Sequence, residues 1–388
     1  MVRAKRVGVV LVGVPDLAGG GGAERYFFEL CRAASLHGNR CDATLVSDVE
    51  SFSRLGRVAP AGDIGKVLLL DSEQTLGLVG QRFSIPARLR ELATSGKFDL
   101  LHLAMALPRH LLWLLPLRHS RHRSQITLNL NDYRLSRMLA PARTGERVPQ
   151  IGPKQWVSYS MYFRYAPLDG IMSWYDDVAQ GLRRRYGTQF APVTVADYCF
   201  VDPTRFRPAS KSDPELLYVA RLVPEKRPEL FLQSLAVVRD VDPVGFSQWR
   251  YRLFGKGPLE GKVRALIAEL RLSDRVQLAS APELAAAFST ASVFVSTQEH
   301  ENFTSLSMLE AMASGNAIVA RDVGRTDRFV QHGHNGLLVP DGSPEALGAA
   351  MLKLIRDPAR ARRYGEVSRR IVLETHSAAN VVREFESF

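Results

Sequence analysis

The sequence predicts an α/β protein of two domains, and three observations carry that reading. Its 388 residues exceed what one ordinary core organises, at about 100 to 200 residues per domain. Short apolar runs alternate with helix-length amphipathic segments from end to end, the pattern of parallel strands covered by helices. Residues 202–214 hold three prolines and few apolar side chains, and a fresh strand follows them, so they read as a linker.

In the first half the apolar runs place strands at residues 6–12, 41–46, 100–103, 124–130 and 170–173. In the second half they place strands at 215–220, 250–254, 275–278, 293–296 and 317–320. The domains are expected at 1–200 and 201–367, with a closing helical segment, 368–388, that is free to cross back to the first domain.

Hydrophobic content of 46% with 23% charged residues is ordinary for a soluble globular chain, which sets aside disordered and fibrous classes. The longest apolar runs, 7–14 and 111–117, are broken by Gly8 and Gly13 and by Pro116, far short of the roughly 20 residues that span a bilayer. Arg3, Lys5 and Arg6 precede the first run as in a signal peptide, but a polyglycine run follows where a cleavage pattern would stand, so the run reads as a buried first strand. Cys31, Cys41 and Cys199 are odd in number and have no metal or redox spacing, which suits a reducing cytoplasm.

The net charge of +11 is concentrated in the first half, where about 26 Lys and Arg face 17 Asp and Glu. Arg109, Arg118, Arg121 and Arg123 flank the apolar run 111–117. Two readings fit that make-up: a segment lying on the anionic inner face of a membrane, as a peripheral contact, or a core helix with a solvated basic end. A basic chain also raises nucleic acid, but no recognition helix, zinc finger or aromatic RNA-binding motif is present, and no nucleic-acid partner is expected.

Three stretches carry residues suited to chemistry. Gly19 to Gly22 follow the first strand and open a helix, where backbone can approach a ligand and a helix start favours negative charge. No Gly-Lys-Ser/Thr follows, so this is no Walker loop. Arg221 comes directly after the second half's first strand and Lys226 five residues later, at the strand end where ligands of open sheets bind. Two cations there can neutralise a diphosphate, Arg by gripping two oxygens and Lys as a point charge. Residues 293–315, VFVSTQEHENFTSLSMLEAMASG, read as a strand, a polar loop with Glu299, His300, Glu301 and Asn302, and a helix starting near Ser305 and stopping at Gly315. Leu306, Leu309, Met312 and Ala313 form its apolar stripe and Glu310 lies off it, while Ser305, Leu306 and Ser307 supply unpaired backbone donors.

At these residues the chain resembles the retaining GT-B glycosyltransferases of family 4, the glycosyl transferases group 1, over nearly its whole length. Gly21-Gly22-Ala23-Glu24-Arg25 resembles the amino-terminal glycine loop of that family, and residues 217–226, LYVARLVPEK, its phosphate-binding strand and loop. Phe254-Gly255-Lys256-Gly257-Pro258 with Asp274-Arg275-Val276 matches the middle of its second domain, and Leu309-Glu310-Ala311-Met312-Ala313-Ser314-Gly315 is its most specific motif.

The resemblance implies two Rossmann-like domains facing each other across a cleft, with a UDP- or GDP-linked sugar held mainly by the second and an acceptor, unidentified, mainly by the first. It makes Arg221 and Lys226 the diphosphate cations and Glu310 the ribose ligand. Gly21, Gly22, Ser305, Leu306 and Ser307 are assigned to the donor, and loops near Gly255 and Ser280 to its base. It also implies no metal and no cofactor, because cations and a helix start do that work, and no protein nucleophile.

Two departures from the family stand out. The family spaces its two glutamates one residue closer than Glu301 and Glu310 stand here, and counting back strictly lands on Asn302. Glu301 with a bulge is the favoured sugar ligand, and Glu299 is a lesser candidate. Where the family often has a histidine before an acid, the first domain has Asn131 and Asp132; Asn131 positions an acceptor but cannot act as a base. Those departures motivate a second reading, a partner subunit that binds nucleotide sugar without turnover. A third, a dinucleotide oxidoreductase on the glycine loop, needs Asp48 as its ribose acid. The histidines His119, His122, His332 and His334 lack metal-site spacing and read as structural or solvated.

Overall fold

The computed structural model describes residues 4–12, 29–33, 41–56, 66–70, 87–105, 114–120, 122–129, 157, 161, 163–173, 180–182, 184, 193–195, 199–211, 213–279, 284–300, 305–377, 379–380 and 382. The chain divides into two units, Met1–Tyr198 with Val381–Phe388, and Cys199–Asn380.

The first unit is built on β1 (Lys5–Leu11), β2 (Cys41–Ser47), β3 (Lys66–Leu69), β4 (Leu100–Met105), β5 (Gln125–Asn129), β6 (Gly170–Ser173) and β7 (Val193–Val195). They form one sheet in the order β3-β2-β1-β4-β5-β6-β7, every neighbouring pair parallel. Val7, Val9, Val10 and Leu11 of β1 are all buried, so this central strand is apolar on both faces rather than alternating. Charges gather at the strands' amino ends and are paired there. Arg6 meets Asp99 at 2.8 Å, Arg123 meets Asp169 at 2.5 Å, and Lys66 meets Asp42 at 2.5 Å.

All five strands expected in this half are present; β3 and β7 are additional. β3 is a four-residue edge strand with two exposed and two half-buried residues, too short and too wet to show as an apolar run. β7 has only three residues. In the basic segment, Leu114 and Leu117 are buried around the short turn Leu115–His119, while Arg118, His119 and His122 are exposed. That part has the form of a core turn with a solvated basic end; Arg109 and Arg121 lie outside the described residues.

The second unit holds β8 (Glu215–Val219), β9 (Arg250–Phe254), β10 (Val276–Ala279), β11 (Val293–Ser296), β12 (Ala317–Arg321) and β13 (Gly336–Val339), in the order β10-β9-β8-β11-β12-β13, again all parallel. The helix Pro228–Val241 packs on the helix Pro344–Ile355, and Leu230, Phe231, Trp249, Leu253 and Met351 share one core. β13 is the unexpected strand here. It follows the turn at His332–Gly336, where Asn335 accepts from Gln331 N at 2.7 Å and donates to Phe329 O, and His332 Nδ1 accepts from Leu338 N at 3.1 Å.

The boundary expected at 367/368 falls inside one continuous helix, Pro358–Thr375. Nothing in it stops the helix, and Ser368 is fully buried, its hydroxyl donating to Asn335 O. Gly365 lets this helix touch the chain at Gly315, whose carbonyl oxygen would stand 2.1 Å from any Cβ at that position. Backbone cannot yield there as a side chain can. Gly365→Ala is therefore expected to cost ~1 to 3 kcal/mol in denaturant unfolding. Gly261→Ala, where a Cβ meets open space in the helix Glu260–Glu269, should instead be neutral or stabilise by up to about 1 kcal/mol.

Candidate functional site

In the second unit β8 has β9 on one side and β11 on the other, so the winding of the sheet reverses between β8 and β11. Ligands of open parallel sheets bind outside the carboxyl ends of such a pair. The two strands pair only at Val293↔Leu216 and Phe294↔Leu217. Beyond that rung they part, leaving a small cavity lined by Tyr218, Ala220, Lys226, Thr297, Gln298, Ser305 and Ser307.

Arg221 leaves β8 exposed, and Pro224–Lys226 form a single 3-10 turn. That turn ends at Arg227 in the left-handed region, φ 46°. Such a conformation costs a side-chain-bearing residue roughly 1 to 2 kcal/mol and persists where neighbours hold it. The neighbours here are hydroxyls: Thr297 Oγ1 donates to Lys226 O at 2.6 Å and to Arg227 O at 2.9 Å, and the Tyr218 phenol donates to Lys226 O at 2.8 Å. Glu299 N donates to Glu225 O at 2.9 Å and ties the β11 loop to the same turn.

The Lys226 ammonium reaches Gln298 Oε1. Burial first, then repulsion from Arg221, pushes it down to about 8, with Glu225 acting in the opposite sense. Neither Arg221 nor Lys226 forms an ion pair among the described residues. Beside them the helix Leu306–Ala313 begins, with Ser305 as its cap: its Oγ accepts from Met308 N at 3.4 Å and lies 3.3 Å from Ser307 Oγ. In any helix the first-turn N–H groups have no intrahelical acceptor, and here the helix start reaches the cavity at Ser305 and Ser307. Two unpaired cations and a helix start make a seat for an anion of more than one charge.

Residues 202–371 match the family model of glycosyl transferases group 1. Those residues span most of the second unit. An exopolysaccharide phosphotransferase of Streptomyces coelicolor is 34% identical over 167 residues, 42% of this chain but only 17% of that protein's length. A D-inositol 3-phosphate glycosyltransferase of Streptomyces bingchenggensis is 26% identical over 397 residues, covering 90% of this chain and 80% of its own. The Anabaena protein HepE, solved in complex with UDP-glucose, superposes with a TM-score of 0.70 at 16% identity, over 99% of this chain and 98% of that one. The α/β GT-B fold expected from the sequence, with Rossmann-like units, is the fold this chain has.

Of the expected site residues, Lys226, Ser305 and Ser307 line the cavity at the ends of β8 and β11, Arg221 follows β8 and acts on Lys226, and Leu306 opens the helix that follows Ser305. Gly255 lies beside them in the β9 loop for a backbone reason. A Cβ there would stand 2.1 Å from Ala220 O, and the glycine lets Lys256 O accept from Leu222 N at 2.9 Å, shaping the Arg221 loop. The packed stripe on the helix is wider than periodicity predicts: Met308 to Ala313 are all buried and Leu306 only half-buried, so Glu310, 3% exposed, is enclosed rather than off the packed face. Gly21, Gly22, Asn131, Asp132, Ser280, Glu301 and Asn302 lie outside the described residues.

Asp48, wanted by the oxidoreductase reading, is buried and spent on its own helix, accepting from Ser51 N at 2.8 Å and Ser51 Oγ at 2.6 Å. Among the described residues no His, Cys, Asp and Glu group could hold a metal, and no helix is long and apolar enough to cross a membrane. Tyr218, Thr297, Gln298 and Arg321 are site residues that the motifs did not point to; the available hint was a hydroxyl or charge ending an apolar strand.

The depressed Lys226 ammonium gives a linkage test. Between about pH 8 and lysine's ordinary 10.5 the unfolded chain holds a proton that the folded chain has released, so stability rises with pH across that window. Lys226→Met should lack that rise and be the more stable protein below pH 8, as read by urea unfolding at a series of pH values.

Proposed function

We propose that this chain is a retaining glycosyltransferase that moves a sugar from a UDP- or GDP-linked donor to an acceptor hydroxyl, without a metal or cofactor. The observation that carries the reading is the pair of cations, Arg221 and Lys226, standing without a carboxylate partner at the forked sheet end beside the Leu306–Ala313 helix start.

As the sugar's C1–O bond to the diphosphate breaks, negative charge grows on the departing phosphate oxygens. The Lys226 ammonium and Arg221 guanidinium neutralise it, and the N–H groups of Leu306 and Ser307 with the hydroxyls of Ser305 and Ser307 add oriented donors. These groups are already in place, so the charge is met without reorganisation. The acceptor attacks from the face the leaving group occupies, and the departing phosphate takes the acceptor proton, which leaves Asn131 and Asp132 a positioning role. Glu310 binds the ribose hydroxyls, and Glu301 the donor sugar, with Asn302 and Glu299 the alternatives. Gly21, Gly22, Gly255 and Ser280 line the donor.

Support comes from the match to the group 1 family model, from the UDP-glucose bound to the Anabaena neighbour, and from the glycosyltransferase named among the relatives. The compartment proposed for this work is the cytoplasm, as the scattered spacing of the three cysteines suggests. The binding-only reading rests on Asn131 and the glutamate spacing, and no observation favours it.

Calorimetry with UDP-glucose and GDP-mannose, followed by product analysis, tests the reading. Lys226→Ala should lower turnover by about a hundredfold or more, the scale of removing one transition-state charge partner. Because the anion needs the protonated amine, donor affinity should fall by up to about tenfold per pH unit above pH 8 in the native protein and stay flat in Lys226→Met. Full turnover in Lys226→Ala would overturn the assignment.

A further inference from the structure

Arg321 is the last residue of β12, half-buried, one strand away from the fork. It forms no ion pair among the described residues, although Arg227, Glu299 and Asp341 are its charged neighbours. Its Nη1 instead donates to two successive carbonyls, Gln298 O at 3.4 Å and Glu299 O at 3.3 Å. Its Nε is buried with no acceptor. A buried donor left unpaired weakens a fold, so packing alone is a poor reason for an arginine here. Room for the guanidinium depends on Gly342, where a Cβ would stand 2.7 Å from Nη2.

The peptide that Arg321 grips is the one that holds Lys226. Gln298 offers its side-chain oxygen to the Lys226 ammonium, and Glu299 N donates to Glu225 O in the lysine's own turn. On the far side the turn is held by Tyr218 and Thr297. The charged groups acting on Lys226 itself are Arg221 and Glu225, both from its own loop.

We propose that Arg321 is a positioning residue for Lys226: it clamps the Gln298–Glu299 peptide against β12, and that peptide sets where the lysine's charge sits. A lysine at 321 carries its donors on a flexible stem and lacks the rigid guanidinium plane that holds Nη1 between the two carbonyls. The inference rests on the proposed function only for its catalytic consequence, because the placement of the Lys226 amine can be read without any ligand.

Stability against pH, from 7 to 11, is measured for the native protein, Lys226→Met, Arg321→Met and the double variant. Subtracting each Lys226→Met partner isolates the contribution of the lysine. With Arg321 in place the stability rise should begin near pH 8; in Arg321→Met it should begin at least half a pH unit higher, toward lysine's ordinary value, as the amine gains water. Gly342→Ala, which pushes the guanidinium aside but keeps its charge, should give the same shift, and Arg321→Lys most of it. UDP and GDP binding form the second arm: the midpoint of their pH dependence should move with the lysine, and turnover with the bound donor should fall about tenfold. An unmoved onset in both Arg321→Met and Gly342→Ala would overturn the proposal. So would a loss of UDP or GDP affinity in Arg321→Met as large as in Lys226→Ala with the onset unmoved, which would make Arg321 a direct anion ligand. If the native protein binds neither nucleotide while the onset still shifts, the function proposed above fails and the positioning role stands.

Discussion

Positive charge held without a salt bridge is the constraint on which the strand ends of the second unit turn. At the amino ends of several strands charge is paired. In the first unit Arg6, Arg123 and Lys66 meet Asp99, Asp169 and Asp42 at the amino ends of their strands, and near the amino ends of β8 and β9 Arg250 meets Asp213 and Arg252 meets the buried Glu215. At the carboxyl ends of β8 and β12 the rule stops: Arg221, Lys226 and Arg321 form no ion pair among the described residues. Desolvating an unpaired ammonium is costly enough that the protein answers by lowering its proton affinity, which is what burial does to Lys226. A fold under selection for stability alone would place a carboxylate there.

The cost is tolerated because the backbone beneath is held hard. Lys226 sits at the end of a one-turn 3-10 helix whose exit residue, Arg227, is left-handed, and two hydroxyls from different strands grip the carbonyls on either side of that kink. The β9 loop is pressed against the β8 loop through Gly255, where only a hydrogen fits against Ala220 O. Strain, hydroxyl tethers and close backbone contact thus fall on the same short stretch. Charge placement needs such a footing, since a lysine stem alone has too many rotamers to fix its ammonium.

Much of this is legible in the sequence, for identifiable reasons. Strands buried on both faces, such as β1 and β12, announce themselves as unbroken apolar runs, and Arg221 and Lys226 can be placed at a strand end by counting from Leu216. β3, with its exposed edge, and β13, only four residues beyond a turn, give no comparable run. Helical periodicity sets Glu310 off the packed stripe because it assumes one wet face; the short helix Leu306–Ala313 is enclosed from Met308 onward, and periodicity carries no signal for that. The roles of Thr297, Gln298 and Arg321 come from contacts across strands that are distant in the chain, which spacing along one segment cannot report.

The helix Leu306–Ala313 shows the same polarity at the scale of a single element. Its carboxyl end is met by cations: Lys211 Nζ donates to Gly315 O at 2.5 Å, and the Arg369 guanidinium donates to Ala313 O and to Phe206 O. Its amino end is met, among the described residues, by the hydroxyls of Ser305 and Ser307. A helix dipole is stabilised by positive charge at the first of these ends and negative charge at the second, and only the first is supplied by the described protein groups. The Lys211 ammonium is itself pushed down to about 7 by burial, with Glu215 opposing, so the fold commits a poorly solvated cation to that end rather than leave it bare. An anion arriving between Lys226 and Ser305 would complete both patterns at once, neutralising the unpaired cations of β8 and supplying the missing charge at the helix start. Under the proposed function, a ligand with two adjacent negative groups would meet both demands at once, where a single carboxylate would meet one.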